Sequence, residues 1–174
     1  MTIGSDLAPL LDYTRWERAQ WHAWFRDAGP AALAVDLGPH GDGRVNTVGE
    51  LVRHIFSAEQ RYVDRIRGAP LTDTATVASG DADALFAFGE KSRASLRELL
   101  ETFPADQWDV PRQVQMGAHT RSLTPRKMVV QAVLHEIRHW AQVATFLRLS
   151  GRKPGSRDFL VSPVFDQGSS LISS

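Results

Sequence analysis

The chain has 174 residues, which is enough for one domain with a sizeable core, and 43% of them are hydrophobic. Basic and acidic residues number 20 each, so the formal charge is zero and a nucleic acid is not expected as the main partner. The absence of cysteine excludes disulfides, thiolate metal ligands and a cysteine nucleophile. The sequence contains neither a signal-peptide pattern nor an apolar run of the about 18 residues that a membrane span needs, so we expect a cytoplasmic protein without a membrane partner.

Two helices are predicted in the N-terminal part of the chain. The first runs over residues 6–27, carries several bulky apolar side chains, and stops at a Gly-Pro pair. The second follows a loop rich in glycine and proline and begins with a capping box, in which Thr47 and Glu50 each satisfy a free amide near the other. Apolar residues then recur at helical spacing until Gly68 ends the segment.

A third helix is predicted over residues 81–102, and a long irregular connection follows it. A connection of this length is rarely a bare linker in a compact domain. We therefore expect short extended pieces within it, and we expect it to cover one end of the helices.

The fourth helix has the clearest boundaries. Thr124 is its predicted N-cap, Pro125 occupies the first helical position, and Gly151 closes it. Four long helices with one long crossover predict an all-α four-helix bundle over residues 1–151. Residues 152–174 show no period and form a predicted irregular tail, of which we expect a short apolar part to pack on the surface.

The fourth helix contains the pattern H-E-x-x-H as His135, Glu136 and His139. Residues four apart on a helix differ by about 40° around its axis, so both imidazoles leave the same face and can chelate one metal ion. Glu136 points about 100° away from His135. We expect it to be solvated or to support the site from outside, with the role of general base as its alternative.

A zinc peptidase with this pattern needs a third protein ligand downstream. The sequence after His139, "WAQVATFLRLSG", contains no histidine or carboxylate. His54, on the second helix, lies instead on a stripe with Leu51, Ala58 and Tyr62 and is predicted to point inward. One histidine from this helix and two from the fourth would form a three-histidine site with coordination positions left for water or a substrate.

Two blocks of the sequence resemble the DinB/YfiT-like family of metalloenzymes. They are "TVGELVRHIFSAEQRYVDRIRG" and "TPRKMVVQAVLHEIRHWAQVATFLRLSG". By position, the resemblance makes His54, His135 and His139 the metal ligands. It also implies an up-down-down-up bundle, a homodimer, and a divalent ion such as zinc, nickel or manganese. Some members of the family transfer a low-molecular-weight thiol of the mycothiol, bacillithiol or glutathione type, whereas others have no assigned activity.

These observations predict a divalent-metal-dependent enzyme, an S-transferase or hydrolase, that acts on a small molecule. A thiol attacking a small electrophile suits both the open coordination and the lack of cysteine. A non-catalytic stress protein that binds a metal or a small molecule is the alternative, and a metallopeptidase with Glu136 as its base is a third possibility. Arg138 is a candidate contact for an anionic cofactor, although it could equally cap helix carbonyls.

Overall fold

A computed structural model of the chain describes residues 3–38, 43 and 45–166. The loop histidine His40 and the last eight residues of the tail lie outside these ranges. The elements in chain order are α1 (Ile3–Ala28), α2 (Pro30–Leu33), α3 (Val48–Arg67), α4 (Ala82–Thr102), β1 (Arg112–Met116), β2 (His119–Leu123) and α5 (Pro125–Leu149). The four long helices α1, α3, α4 and α5 confirm the predicted all-α bundle.

The predicted boundaries of α3 are confirmed in atomic detail. The Glu50 amide donates to the Thr47 hydroxyl at 3.2 Å, and the Glu50 carboxylate accepts from the Asn46 amide at 2.6 Å. Gly68 caps the C-terminus with a φ of 67°, a left-handed conformation that glycine adopts without steric cost. Local hydrogen bonds therefore fix the residue at which α3 begins. They thereby also fix the position of His54 along the axis of the bundle.

The last helix also begins and ends close to its predicted limits. The Lys127 amide donates to the Thr124 hydroxyl at 3.2 Å, and Pro125 is the first helical residue. Ser150 is the C-cap, and Gly151 follows it with a φ of 82°. The helix thus carries both predicted ligands, His135 and His139, well inside its length.

The long connection before α5 contains a β-hairpin, which confirms the expected extended pieces. β1 and β2 pair antiparallel, with Met116 opposite His119. The hairpin is tied to the C-terminal end of α3, because Arg112 donates to the Ile66 carbonyl at 2.9 Å. Val114 is buried among apolar residues of α1, α3 and α5, so the hairpin covers this end of the bundle, as predicted.

Two apolar clusters fill the bundle, and their order along each helix gives the topology. The first cluster includes Trp21, Phe25, Val52, Phe56, Leu85, Phe86, Trp140 and Leu147. The second includes Leu7, Leu11, Val63, Ile66, Leu96, Leu99, Val129 and Val133. The chain passes from the second cluster to the first in α1 and α5 but from the first to the second in α3 and α4. The helices therefore run up-down-down-up, as the resemblance implied.

Between the two apolar clusters each long helix contributes one charged residue to a buried ion layer, which consists of Arg18, Glu59, Arg93 and Glu136. Arg18 Nε donates to Glu136 Oε1 at 2.6 Å, and Arg93 Nη2 donates to Glu136 Oε2 at 2.7 Å. Arg93 Nε also donates to Glu59 Oε2 at 3.0 Å. None of these side chains is more than 2% exposed. Two positive and two negative charges cancel, which a buried group of ions requires.

The two arginines of the ion layer keep Glu59 ionised although it is buried. Burial favours the uncharged form of Glu59, but Arg18 and Arg93 outweigh it and hold the pKa of this carboxyl below its ordinary value. The expectation that Glu136 is solvated is wrong, because the residue is only 1% exposed. The two arginines that it contacts lie on other helices, which sequence spacing within α5 does not reveal.

The described part of the tail, residues 152–166, lies against α1. The Tyr13 hydroxyl donates to the Arg157 carbonyl at 2.8 Å, and the Arg157 guanidinium lies 3.7 Å from the centre of the Trp21 ring. Phe159 contacts the Tyr13 ring, which confirms that a short apolar part packs on the surface. Leu160, however, is 89% exposed, so the packing does not include the whole apolar run.

Glu17 lies on the same side of α1, and its burial predicts a pH-dependent stability. The residue is 5% exposed, and burial, together with the negative charge of Glu136, raises its pKa from 4.5 to about 7. The unfolded chain therefore loses this proton before the folded one, so the free energy of unfolding should fall as the pH rises from about 4.5 to 7. Replacing Glu17 by glutamine should stabilise the protein by about 1–3 kcal/mol at pH 8 and leave it nearly unchanged at pH 4.

Urea unfolding of the Glu17→Gln variant and its parent at the two pH values tests this expectation. The exposed Glu101→Gln change is the matched control, since it removes the same charge from a solvated site. Equal stabilisation at both pH values would contradict the assignment of the shifted pKa to Glu17.

Candidate metal centre

Three imidazoles meet between α3 and α5. His54 Nε2 lies 3.2 Å from His135 Nε2, and His139 Nε2 lies 3.0 Å from the same atom. One nitrogen from each ring lies within 4.8 Å of the others, and all three residues are half-buried. The described residues therefore bring together the three histidines that the sequence singled out, and the group can hold a metal ion.

The positions of the three rings follow from the packing of the two helices. α3 and α5 contact each other along much of their length. His54 is in the second turn of α3, and the spacing of His135 and His139 stacks them on one face of α5, as predicted. Because the caps fix where α3 begins and apolar clusters fix how the helices pack, the three rings meet without any contribution from a loop.

The spacing of the nitrogens fits metal coordination. A metal ion bonded to imidazole nitrogens at about 2.1 Å separates neighbouring nitrogens by about 3.0 Å at a right angle and about 3.4 Å at the tetrahedral angle. The two measured separations, 3.0 and 3.2 Å, lie in this range. Hydrogen bonding alone does not explain both contacts, because an uncharged Nε2 offers either one proton or one lone pair, and His135 Nε2 takes part in both.

Gln142 selects the tautomer of His139 that a metal requires. His139 Nδ1 and Gln142 Oε1 are within hydrogen-bond distance, and an amide oxygen can only accept. With Nδ1 as the donor to this oxygen, the uncharged imidazole has its lone pair on Nε2, the nitrogen that lies 3.0 Å from His135 Nε2. Such a partner orients a ligand ring and raises its basicity.

Replacing Gln142 by alanine should weaken metal binding about tenfold, because His139 then loses the group that fixes its tautomer and ring orientation. Competition with a chromophoric chelator measures the affinity. The Gln60→Ala variant is a matched control, since Gln60 donates to Asp64 on another part of the bundle. An affinity for Gln142→Ala equal to that of the parent would show that the contact does not orient a ligand.

The other residues considered from the sequence lie outside the histidine cluster. Glu136 adjoins His135 in the chain, but its oxygens accept from Arg18 and Arg93 inside the ion layer and from the Trp140 ring. This geometry counts against a role as general base, because the carboxylate is turned away from the site and is already bonded. Arg138 is exposed on α5, and its assignment to an anionic cofactor stays a prediction.

Two polar residues near the cluster were not found from the sequence. Ser57 and Arg61 line the same cavity as His54 and follow it by three and seven residues on α3. This spacing puts all three on one face of the helix, so the signal was available in the sequence. It was missed because serine and arginine at helical spacing are commonly solvated surface residues.

No helix within the described ranges combines the length and the hydropathy that a membrane crossing requires.

A comparison with curated proteins found no match. The family model for the DinB superfamily, in contrast, matches residues 37–143. This range covers more than half of the chain and includes His54, His135 and His139, and the all-α bundle agrees with it. The chain therefore belongs to the DinB superfamily.

Proposed function

We propose that the protein is a divalent-metal-dependent enzyme that joins a low-molecular-weight thiol to a small electrophile. The thiol would be of the mycothiol, bacillithiol or glutathione type, and zinc, nickel or manganese would be the ion. His54, His135 and His139 would bind the ion through Nε2. A divalent ion bound there supplies Lewis acidity, which lowers the pKa of a coordinated water or thiol toward neutrality.

The observation that carries this proposal is the convergence of three Nε2 atoms from two helices with separations of 3.0 and 3.2 Å. Three protein ligands leave coordination positions for a substrate, which distinguishes catalytic from closed structural sites. The chain's own part is to hold the three lone pairs in place, with Gln142 orienting one ring. His54 borders a cavity through which a small molecule can approach the half-buried group.

In the proposed reaction the thiol proton passes to solvent, and the sulfur forms a bond to the electrophilic carbon. A chloride or an epoxide oxygen leaves that carbon with the bonding electrons. The protein needs no cysteine for this chemistry, which agrees with the composition. The predicted homodimer, the cytoplasmic location and the small-molecule substrate belong to the same proposal.

The metallopeptidase alternative receives less support from the geometry. It requires Glu136 to act on a water beside the metal, whereas both carboxylate oxygens accept hydrogen bonds from arginines inside the ion layer. A non-catalytic protein with the same metal site is the remaining alternative, and an activity measurement separates it from the enzyme.

The test combines the zinc- or nickel-loaded protein with glutathione, bacillithiol or mycothiol and either 1-chloro-2,4-dinitrobenzene or styrene oxide. We expect thioether formation with at least one thiol above the rate with the free metal, and loss of that rate in His54→Ala. If a fully metallated protein forms no thioether with any of the three thiols, the transferase proposal is wrong. Cleavage of a peptide library by the same sample would favour the peptidase instead.

A further inference from the structure

A cavity of about 290 Å³ opens beside His54. The polar part of its lining consists mainly of Glu50, Arg53, His54, Ser57, Arg61 and Asp73. The wall opposite α3 consists of Asp73, Thr74 and Ala75. The same connection is still close to the helix at Ser79, whose carbonyl a side chain at Gly49 would meet. The cavity is therefore bounded by a helix and by a segment packed tightly against it.

Most charged groups of this lining are already engaged with the backbone. Glu50 accepts from the Asn46 amide, and Asp73 accepts from the Ala75 amide at 2.9 Å. Arg53 donates to the Val77 carbonyl at 3.1 Å and so fixes the segment opposite α3. The charged groups of these three residues therefore have a structural role, because each of them makes a hydrogen bond to the backbone around the cavity.

In contrast to these residues, Ser57 and Arg61 each have a buried polar atom without a hydrogen-bond partner among the described residues. Ser57 is 3% exposed, and among the described residues its hydroxyl oxygen meets no hydrogen-bond partner. The buried Nε of Arg61 likewise meets no acceptor in the described part of the chain. Leaving such groups without partners destabilises the folded state, so a cavity that keeps two of them is suited to a ligand that satisfies both.

The chemistry of the two groups selects the ligand. An arginine offers only donors, and a serine hydroxyl can donate as well, so both fit an acceptor that carries negative charge. Two carboxylates also line the cavity, Glu50 and Asp73, and they disfavour a doubly charged group such as a phosphate. A carboxylate, with one charge and two acceptor oxygens, fits best.

The rise of α3 sets the distance of Ser57 and Arg61 from His54. Ser57 and Arg61 follow His54 by three and seven residues, which corresponds to about 4.5 and 10.5 Å along the axis. A ligand held at both ends would therefore have its carboxylate several bonds away from the atom at the metal.

We propose that Ser57 and Arg61 form a carboxylate-binding position that selects a thiol or substrate carrying a carboxylate several bonds from its reacting atom. For the end of the ligand that reacts at the metal, this inference rests on the proposed function. The carboxylate-binding position itself is defined without the metal.

The test is calorimetric titration of the zinc-loaded protein with 6-mercaptohexanoate and with its uncharged analogue 6-mercaptohexanamide. We expect the parent to bind the carboxylate about tenfold more tightly than the amide, because a charge-assisted hydrogen bond contributes more than a neutral one. The preference should fall below about threefold in Arg61→Gln and decrease in Ser57→Ala, while the exposed Arg97→Gln variant keeps it.

Equal binding of the acid and the amide by the parent would overturn the inference, and so would a preference that Arg61→Gln leaves unchanged. A probe that ends in a phosphate and binds more tightly than the acid would contradict the selection of a single charge. If the protein binds no metal, the proposed function fails, and hexanoate and hexanamide titrated into the metal-free protein by NMR still test the carboxylate position. A preference for hexanoate that depends on Arg61 would then support it.

Discussion

Replacing His54 by alanine should weaken metal binding at least about a hundredfold, because the ion would lose one of the three proposed protein ligands, the one that α3 contributes. The effect should also appear in thermal stability. An ion present at about a hundred times its Kd stabilises the folded state by about 2.7 kcal/mol, which raises the Tm of a chain of this size by about 5–10 °C. The parent should show this rise on addition of metal, and His54→Ala should not.

His119→Ala is the matched control for this experiment. His119 is exposed on β2, outside the three-histidine group, so its removal should leave affinity and stabilisation unchanged. A His54→Ala variant that retains the parent's affinity would mean that His135 and His139 bind the ion without α3.

Replacing Glu136 by glutamine should destabilise the fold by about 3–5 kcal/mol, since it leaves a net positive charge among buried groups. For a chain of this length the Tm should fall by about 10 °C or more. The exposed Glu101→Gln variant should change the Tm by no more than about 1 °C, as surface substitutions usually do. Metal bound per folded molecule should not change, because the Glu136 carboxylate accepts from Arg18 and Arg93 inside the ion layer.

A double-mutant cycle shows whether the loss comes from the unbalanced charge. Arg18→Met removes a positive charge from the same layer, and the remaining pair, Arg93 and Glu59, still makes two contacts near 3 Å. The double variant of Arg18 and Glu136 should therefore be at least about 1 kcal/mol more stable than the sum of the two single changes predicts. Strictly additive losses would show that the layer is not coupled by charge.

The sequence predicted the helices well because their signals are local. The capping box at Thr47, the Thr124–Pro125 pair and the terminal glycines each act within one turn, so they specify the boundaries without knowledge of the fold. Spacing of four residues places His135 and His139 together for the same reason. Bringing His54 to them required a tertiary inference, which came from the inward stripe of α3 and from the family resemblance.

The ion layer could not be predicted in this way. Its four members lie on four different helices, and each looks like an ordinary charged surface residue within its own segment. Spacing within α5 shows only that Glu136 leaves a different face from the histidines, which fits a solvated residue, a residue that supports the site from outside, and a buried one equally well. The helical spacing of Ser57 and Arg61 with His54 is visible in the sequence, but the cavity also needs residues 73–75, whose path no local pattern specifies.

The central claim is that one ion is bound by three imidazoles from two helices. Anomalous diffraction from crystals of the nickel- or zinc-loaded protein tests it most directly, because it locates the ion independently of any activity. We expect one peak between α3 and α5, at about 2.0–2.2 Å from Nε2 of His54, His135 and His139. A peak bonded to only two of these nitrogens, or a peak elsewhere on the molecule, would contradict the account.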